Sequence, residues 1–304
     1  MLMENNIPLI NRIFQRRLFF LLLFNILMFA LGGGIAHYLG FTISWTAYMT
    51  GQGISMMLMS GAFFLDDYFE TQSPSETIHP PRTQAEMELF RKLQASILIL
   101  ALSFLTIAAI LIVFLSRDGQ LNGTAIVLLS VGFLAMIAYA VPPFRLVYSG
   151  IGEMLATILL TVLIPAFSFC LQSGELHRYI SMSTFPLAAF FLSMLVVFQF
   201  TTFATDCKNC QNTLLVRLGW LKGWHLNNIL LMLGYLLLVL TRIQGLPWAI
   251  VWPSLLPMPI AVYQVILMNQ VATGNKPRWG LLKATSLSIV LLTAYLLTFT
   301  YWTR

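Results

Sequence analysis

Residues 95–115 read ASILILALSFLTIAAILIVFL, an unbroken stretch without a charged side chain. A helix of about 20 apolar residues matches the roughly 30 Å hydrocarbon core of a bilayer, so this stretch reads as a transmembrane span. On either side of it the chain repeats the pattern at about 18–40, 43–65, 122–142, 151–172, 180–205, 224–242, 246–268 and 281–302. The first run, from Leu18, is too long for a signal-peptide core and reads as a retained membrane helix. The 304 residues are 58% hydrophobic and only 9% charged, with a mean hydropathy of +0.81. Soluble domains carry about a quarter charged residues, so that class is excluded, and so is a disordered chain. Long apolar runs in place of strict alternation exclude a membrane β-barrel. The expected fold is all-α: one polytopic membrane domain over residues 1–304, with about nine transmembrane helices bundled around a central chamber.

The formal charge of +6 does not signal nucleic acid, because Lys and Arg are scattered singly or in pairs with no basic stripe. Their distribution instead sets an orientation. With the N-terminus inside, thirteen of the seventeen Lys and Arg residues fall on the inner side, and only Arg117, Arg178, Arg242 and Arg304 fall outside. The positive-inside rule then predicts a cytoplasmic N-terminus and two long cytoplasmic connections, about 66–94 and 206–223. Cys170, Cys207 and Cys210 make no disulfide framework, and the Cys207–Cys210 pair lacks the second pair or nearby His that a metal site needs.

Acidic residues number eleven in the whole chain, and four of them crowd two helix ends. Asp66, Asp67 and Glu70 close the second span, and Asp206 closes the sixth. Spacings of three and four place Glu70 beside both aspartates on one helical face. A helix C-terminus already carries partial negative charge, so carboxylates there repel it and each other unless something positive compensates. Two readings stand: solvated acids at the membrane interface, or oxygen ligands for Mg²⁺, which commonly takes one or two carboxylates and completes its shell with water and phosphate oxygens. Arg82 and Lys208 add positive groups close to the same two helix ends. Together these are the parts needed to hold a diphosphate. A transporter would place its charges near mid-membrane, in broken helices. Charges gathered at one face above an apolar chamber suit a substrate with a polar head and a greasy tail.

Three stretches carry a family resemblance. LDDYFETQSPSETIHPPRTQ at 65–84 resembles the Asn-Asp-x-x-Asp loop and Pro-Arg element of the UbiA superfamily of intramembrane prenyltransferases. YAVPPFRLVYSGIGE at 139–153 is similar to the Tyr-x-x-Pro-Pro-x-Arg-Leu-x-Tyr-x-Gly-x-Gly-Glu run of members that use naphthoate-type acceptors. TTFATDCKNCQNTLLVRLG at 201–219 resembles the family's second acidic helix end, Asp-x-x-x-Asp-x-Lys followed by a Thr-Leu-x-x-x-Leu-Gly element. The three lie in the family's order, and with the nine spans the resemblance covers essentially the whole chain.

The resemblance implies roles for particular residues. Asp66 stands where the family usually has Asn, Asp67 matches its Asp, and Glu70 replaces the next Asp; with Asp206 these would bind Mg²⁺. Lys208 and Arg82 would contact the diphosphate, and His79, in the same loop as Arg82, could approach it. Tyr139 and Arg145 would face the diphosphate and the acceptor entrance, although Arg145 also reads as a positive-inside anchor and Tyr139 as an interfacial aromatic. Glu153 opens a helix, where capping explains an acid as well as catalysis does. Two departures stand out: Thr202 occupies the position of the second motif's first Asp, and Pro74 the position of an acid after Glu70.

The implied activity is Mg²⁺-dependent transfer of a prenyl group from a prenyl diphosphate to a lipophilic, aromatic, quinone-precursor-like acceptor within the membrane. The implied location is a bacterial inner membrane, with lipid as surroundings, no nucleic-acid partner and the site facing the cytoplasm. A cyclase that ionises a prenyl diphosphate without an acceptor, or a non-catalytic isoprenoid-binding or transport protein, are the alternatives. Gly32, Gly33 and Gly34 are expected to permit close helix packing, and Pro165, Pro253 and Pro257 to kink their spans.

Overall fold

The computed structural model describes residues 7–72, 84–209, 211–274 and 276–304, without the side chains of 7–17, 71, 72, 85–87 and 89. Helices account for 85% of the described residues, which contain no strand. Long antiparallel helices run as α1 (Ile7–Tyr38), α2 (Trp45–Gln72), α3 (Gln84–Arg117) and α4 (Gly123–Ala140). A single 3₁₀ turn (Leu146–Tyr148) leads into α5 (Gly152–Ile158), a π turn (Leu159–Leu163) and α6 (Ile164–Ser173), which together make one span. The chain continues as α7 (Arg178–Lys208), the short α8 (Leu214–Leu218) and α9 (Trp220–Ile243). The last two spans are α10 (Trp248–Ser254) with α11 (Met258–Ala272), and α12 (Trp279–Thr303).

Among the described residues, eight units are long and apolar enough to cross a bilayer. The ninth expected span, 43–65, corresponds to α2, which has 28 residues but falls short in apolarity. The cause lies in its sequence: Gln52, Ser55 and Ser60 interrupt the run, and Asp66, Asp67 and Glu70 lie within its last turns. The helix does not stop at residue 65 because nothing there breaks it; Pro74 is the first proline beyond. The expected long connections therefore shrink. Helix α3 starts at Gln84, and α8 fills part of 206–223. Around the bundle, large apolar side chains such as Ile110, Val127, Leu134 and Ile243 are exposed, as a lipid-facing surface requires.

Lipid offers no hydrophobic drive between helices, so close packing and interhelical hydrogen bonds hold the bundle. Helices α1 and α6 meet at Gly32, where an added Cβ would lie 2.2 Å from the Pro165 carbonyl oxygen. Ser168 Oγ donates to the Phe29 carbonyl at 2.7 Å in the same contact. Buried Asn25 accepts from Gln52 Nε2 and Ser55 Oγ, each at 2.9 Å, and so ties α1 to α2. Buried Asn227 accepts from Ser193 at 2.7 Å and joins α9 to α7. The three expected prolines mark departures from regular helix: the π turn precedes Pro165, and Pro253 and Pro257 lie at the break between α10 and α11.

Candidate functional site

A cavity of about 550 Å³ lies between α1, α2, α4, the α5–α6 span and α7. Its polar residues gather at one end: Asp66 and Glu70 from α2, Tyr139 from α4, Tyr148, Glu153 from α5, and Gln199, Thr202 and Asp206 from α7. Gln211 and Thr213 complete that end. Away from it the wall is almost wholly apolar, with Met59, Leu129, Leu160, Phe167, Phe191 and Phe198. At 1.5 Å per helical residue, the lining reaches about 16 Å along α2 from Asp66 to Ser55 and about 22 Å along α7 from Asp206 to Phe191.

Helical period decides which acids face the cavity. Asp66 and Glu70, four apart, share a face and line it; Asp67 turns about 100° away and is not among the described lining residues. On α7, Phe191, Leu195, Phe198, Thr202 and Asp206 fall at spacings of three and four and form one stripe. Thr202 Oγ1 donates to Asp206 Oδ2 at 2.9 Å. The hydroxyl at the position where the resemblance implied an acid thus orients a carboxylate.

Four carboxylates, from Asp66, Glu70, Glu153 and Asp206, border one cavity, and its described lining contains no Lys, Arg or His. Asp66, Glu153 and Asp206 are each less than a tenth exposed. Buried like charges facing one cavity call for a cation between them. No group of three or more acid, His or Cys side chains is close enough to hold a metal among the described residues. Mg²⁺ needs only one or two carboxylates when phosphate oxygens supply the rest, so this oxygen-only donor set fits it. Asp66 and Glu70 on one wall and Asp206 on another are the residues that would hold it.

Tyr148 was not singled out in the sequence, although it lies in the 139–153 stretch. Its hydroxyl donates to the Glu70 carboxylate. Burial raises its pKa first, followed by the negative charges of Glu70 and Asp66 and that hydrogen bond, while Arg145 pulls the other way. The net rise keeps it a neutral phenol and a donor at physiological pH. The Arg145 guanidinium sits 4.8 Å above the Tyr148 ring. Arg145 itself does not line the cavity among described residues, and its φ of 35° and ψ of 57° lie in the left-handed region.

That conformation costs a non-glycine residue about 1–2 kcal/mol, whereas a cation over an aromatic face returns about 0.5–2 kcal/mol. The two nearly cancel, so Arg145→Gly is expected to change thermal stability in detergent little. A marked fall in melting temperature would instead make Arg145 a structural anchor.

Lys208 is exposed at the C-terminal end of α7, beyond the described lining. Arg82 and His79 lie outside the described residues, as do Pro74 and Cys210. Cys207 is exposed and free.

Sequence reasoning also undervalued Glu153. The side chain is 8% exposed, and its Oε1 accepts from Gln199 Nε2 and from the Leu214 backbone N–H at 3.1 Å. Gln199 Oε1 accepts in turn from the Leu215 backbone N–H at 3.0 Å. Glu153 thus fastens α5 to α7 and α8, rather than merely capping its own helix.

A membrane bundle that encloses an amphiphile-shaped cavity with acids at its polar end defines a class of intramembrane binding site. Solved structures share the fold. A UbiA homolog from Archaeoglobus fulgidus bound to GPP and Mg²⁺ matches with a TM-score of 0.61 at 14% identity, over 91% of this chain and 96% of that one. The DMAPP and Mg²⁺ complex of a UbiA homolog from the same organism matches with a TM-score of 0.58 at 14% identity, over 91% and 95%. A digeranylgeranylglyceryl phosphate synthase matches at 0.55 and 15%, over 95% and 98%. Neither a protein-family model nor a curated protein sequence matches the chain. The chain has the UbiA fold.

Proposed function

We propose that this protein transfers a prenyl group from a prenyl diphosphate to a lipophilic acceptor inside the membrane, with Mg²⁺ at the acidic end of the cavity. The carrying observation is the division of one cavity into a carboxylate-lined head and an apolar sleeve, which together run about 16–22 Å. The like fold of UbiA homologs bound to GPP or DMAPP with Mg²⁺ supports the same reading. Bound Mg²⁺ would supply charge neutralisation at the departing diphosphate.

The residues of the chain divide the remaining work. Asp66, Glu70 and Asp206 provide the negative oxygens of the head site, Glu70 oriented by the Tyr148 hydroxyl and Asp206 by Thr202. Asp67 and Lys208 flank them, and Arg82 and His79 are assigned to the diphosphate by the family resemblance alone. The apolar sleeve excludes water from the allylic carbon as it gains positive charge. Phe198 and the other ring faces lining the sleeve can stabilise that charge by about 0.5–2 kcal/mol each. Tyr139 and the Arg145–Tyr148 pair bound the acceptor side, where an aromatic, quinone-precursor-like ring is the favoured nucleophile. The Lys and Arg distribution supports an acidic end facing the cytoplasm, and the location we propose is a bacterial inner membrane.

Acceptor-dependent diphosphate release tests this. Purified protein in lipid, given Mg²⁺, geranyl diphosphate and a panel of phenolic acceptors, is expected to release diphosphate and form a prenylated acceptor of matching mass. Release without any acceptor would favour a cyclase, and no release under any condition would remove the enzyme reading.

Thr202→Asp provides a finer check on the head site. It exchanges the hydroxyl donor beside Asp206 for a second carboxylate four residues away, and is expected to lower the Mg²⁺ concentration for half-maximal activity about tenfold. An unchanged or higher requirement would place Thr202 away from the metal.

A further inference from the structure

The N-terminus of α8 is capped in an unusual way. Thr213 is its N-cap residue, yet its hydroxyl makes no capping hydrogen bond. A threonine there ordinarily spends its side-chain oxygen on a backbone N–H of the first turn. Here the first two N–H groups, of Leu214 and Leu215, go to Glu153 Oε1 and Gln199 Oε1 from two other helices. The exchange leaves two polar atoms over: Thr213 Oγ1 and Glu153 Oε2 are both buried without a hydrogen-bond partner. Both residues are 8% exposed, and both line the cavity.

We infer that Glu153 and Thr213 form the polar end of an acceptor subsite selective for an uncharged, hydroxyl-bearing molecule and against a carboxylate. The inference rests on the transferase reading above. Glu153 Oε2 accepts the ligand's O–H, and Thr213 Oγ1 donates to the same ligand oxygen or to a neighbouring one. A carboxylate could not donate to Glu153 and would meet its negative charge in a buried setting, which is strongly unfavourable. Gln199 is a positioning residue, holding the carboxylate through Nε2 and α8 through Oε1. Glu153 Oε1 is already committed to Gln199 and the Leu214 N–H, which ties the carboxylate to the α7–α8 junction and away from the Asp66 and Glu70 pair of α2. Its free oxygen is therefore assigned to the acceptor rather than to the cation.

The test is binding, not turnover. Full-length protein in nanodiscs is dialysed to equilibrium against radiolabelled 2-naphthol or 2-naphthoate, with empty nanodiscs subtracting partition into lipid. Wild type is expected to bind the naphthol at least tenfold more tightly than the naphthoate. Glu153→Gln keeps an oxygen for Gln199 and Leu214 but loses the charge, and should cut that ratio about tenfold. Thr213→Val should weaken naphthol several-fold and leave naphthoate unchanged, which keeps the inference testable if the Glu153 variant does not fold. Equal binding of the two ligands by wild type, or a ratio unmoved by either variant, would overturn it. Diphosphate release, measured separately, distinguishes failure of this subsite from failure of the transferase reading.

Discussion

Asp206→Asn is expected to lower Mg²⁺-dependent diphosphate release by about 10²–10³-fold, equivalent to about 2.7–4 kcal/mol of lost electrostatic stabilisation. The substitution keeps the side chain's shape, and an amide oxygen can still accept from Thr202, whose hydroxyl now lies 2.9 Å from Asp206 Oδ2. What disappears is one negative charge at a cavity end that holds four carboxylates and no described lining cation. Asp66→Asn should fall in the same range. Asp67→Asn should cost no more than about tenfold, because Asp67 is not among the described lining residues. Initial rates of diphosphate release across a Mg²⁺ titration decide the matter. Wild-type rates in Asp66→Asn and Asp206→Asn would place the reacting diphosphate elsewhere.

The largest stability effect is expected at Gly32→Ala. An alanine in a helix usually gains about 1 kcal/mol over glycine. At Gly32 the new methyl would sit 2.2 Å from the Pro165 carbonyl oxygen and 2.7 Å from Ser168 Cβ. One is backbone and the other is bound to it, so neither yields as a flexible chain end does. Helices α1 and α6 must move apart, stretching the Ser168–Phe29 hydrogen bond of 2.7 Å. Overpacking of this kind costs about 1–3 kcal/mol, and the clash with backbone puts this site at the upper end. Gly53→Ala is the matched control, since its Cβ would meet only the Leu111 Cδ1 at 3.2 Å. Thermal unfolding in detergent should drop clearly for the first and barely change for the second. Equal melting temperatures would show that the α1–α6 contact is not tightly packed.

The spans were legible in the sequence because long uncharged runs leave a chain no alternative in lipid. Helix α2 was legible as a helix ending in candidate site acids, but its lower apolarity was not: Gln52 and Ser55, which tie α2 to Asn25, and the acids of its last turns reduce it. The acidic pairs could be found because charge is scarce and the i, i+4 rule predicts shared faces, as at Asp66 with Glu70. Period put Asp67 on the same broad face, and only the cavity lining, which includes Asp66 and Glu70 but not Asp67 among the described residues, separates it. Glu153, Gln199 and Thr213 were hidden for a different reason. Their meaning lies in contacts to residues far along the chain, such as Glu153 to Leu214, and no local pattern encodes which oxygen a distant N–H will take. Tyr148 stood in the quoted 139–153 stretch, but only the fold brings its hydroxyl to Glu70.

The central claim is that the acidic end of this one cavity holds a prenyl diphosphate together with a divalent cation. Its most direct test is the anomalous signal of Mn²⁺, substituted for Mg²⁺, in crystals grown with a non-cleavable geranyl thiodiphosphate. The account predicts the Mn²⁺ peak between the carboxylates of α2 and Asp206, with the geranyl chain running down the apolar sleeve toward Phe191. A peak outside this cavity, or a geranyl chain bound elsewhere on the bundle, would contradict it.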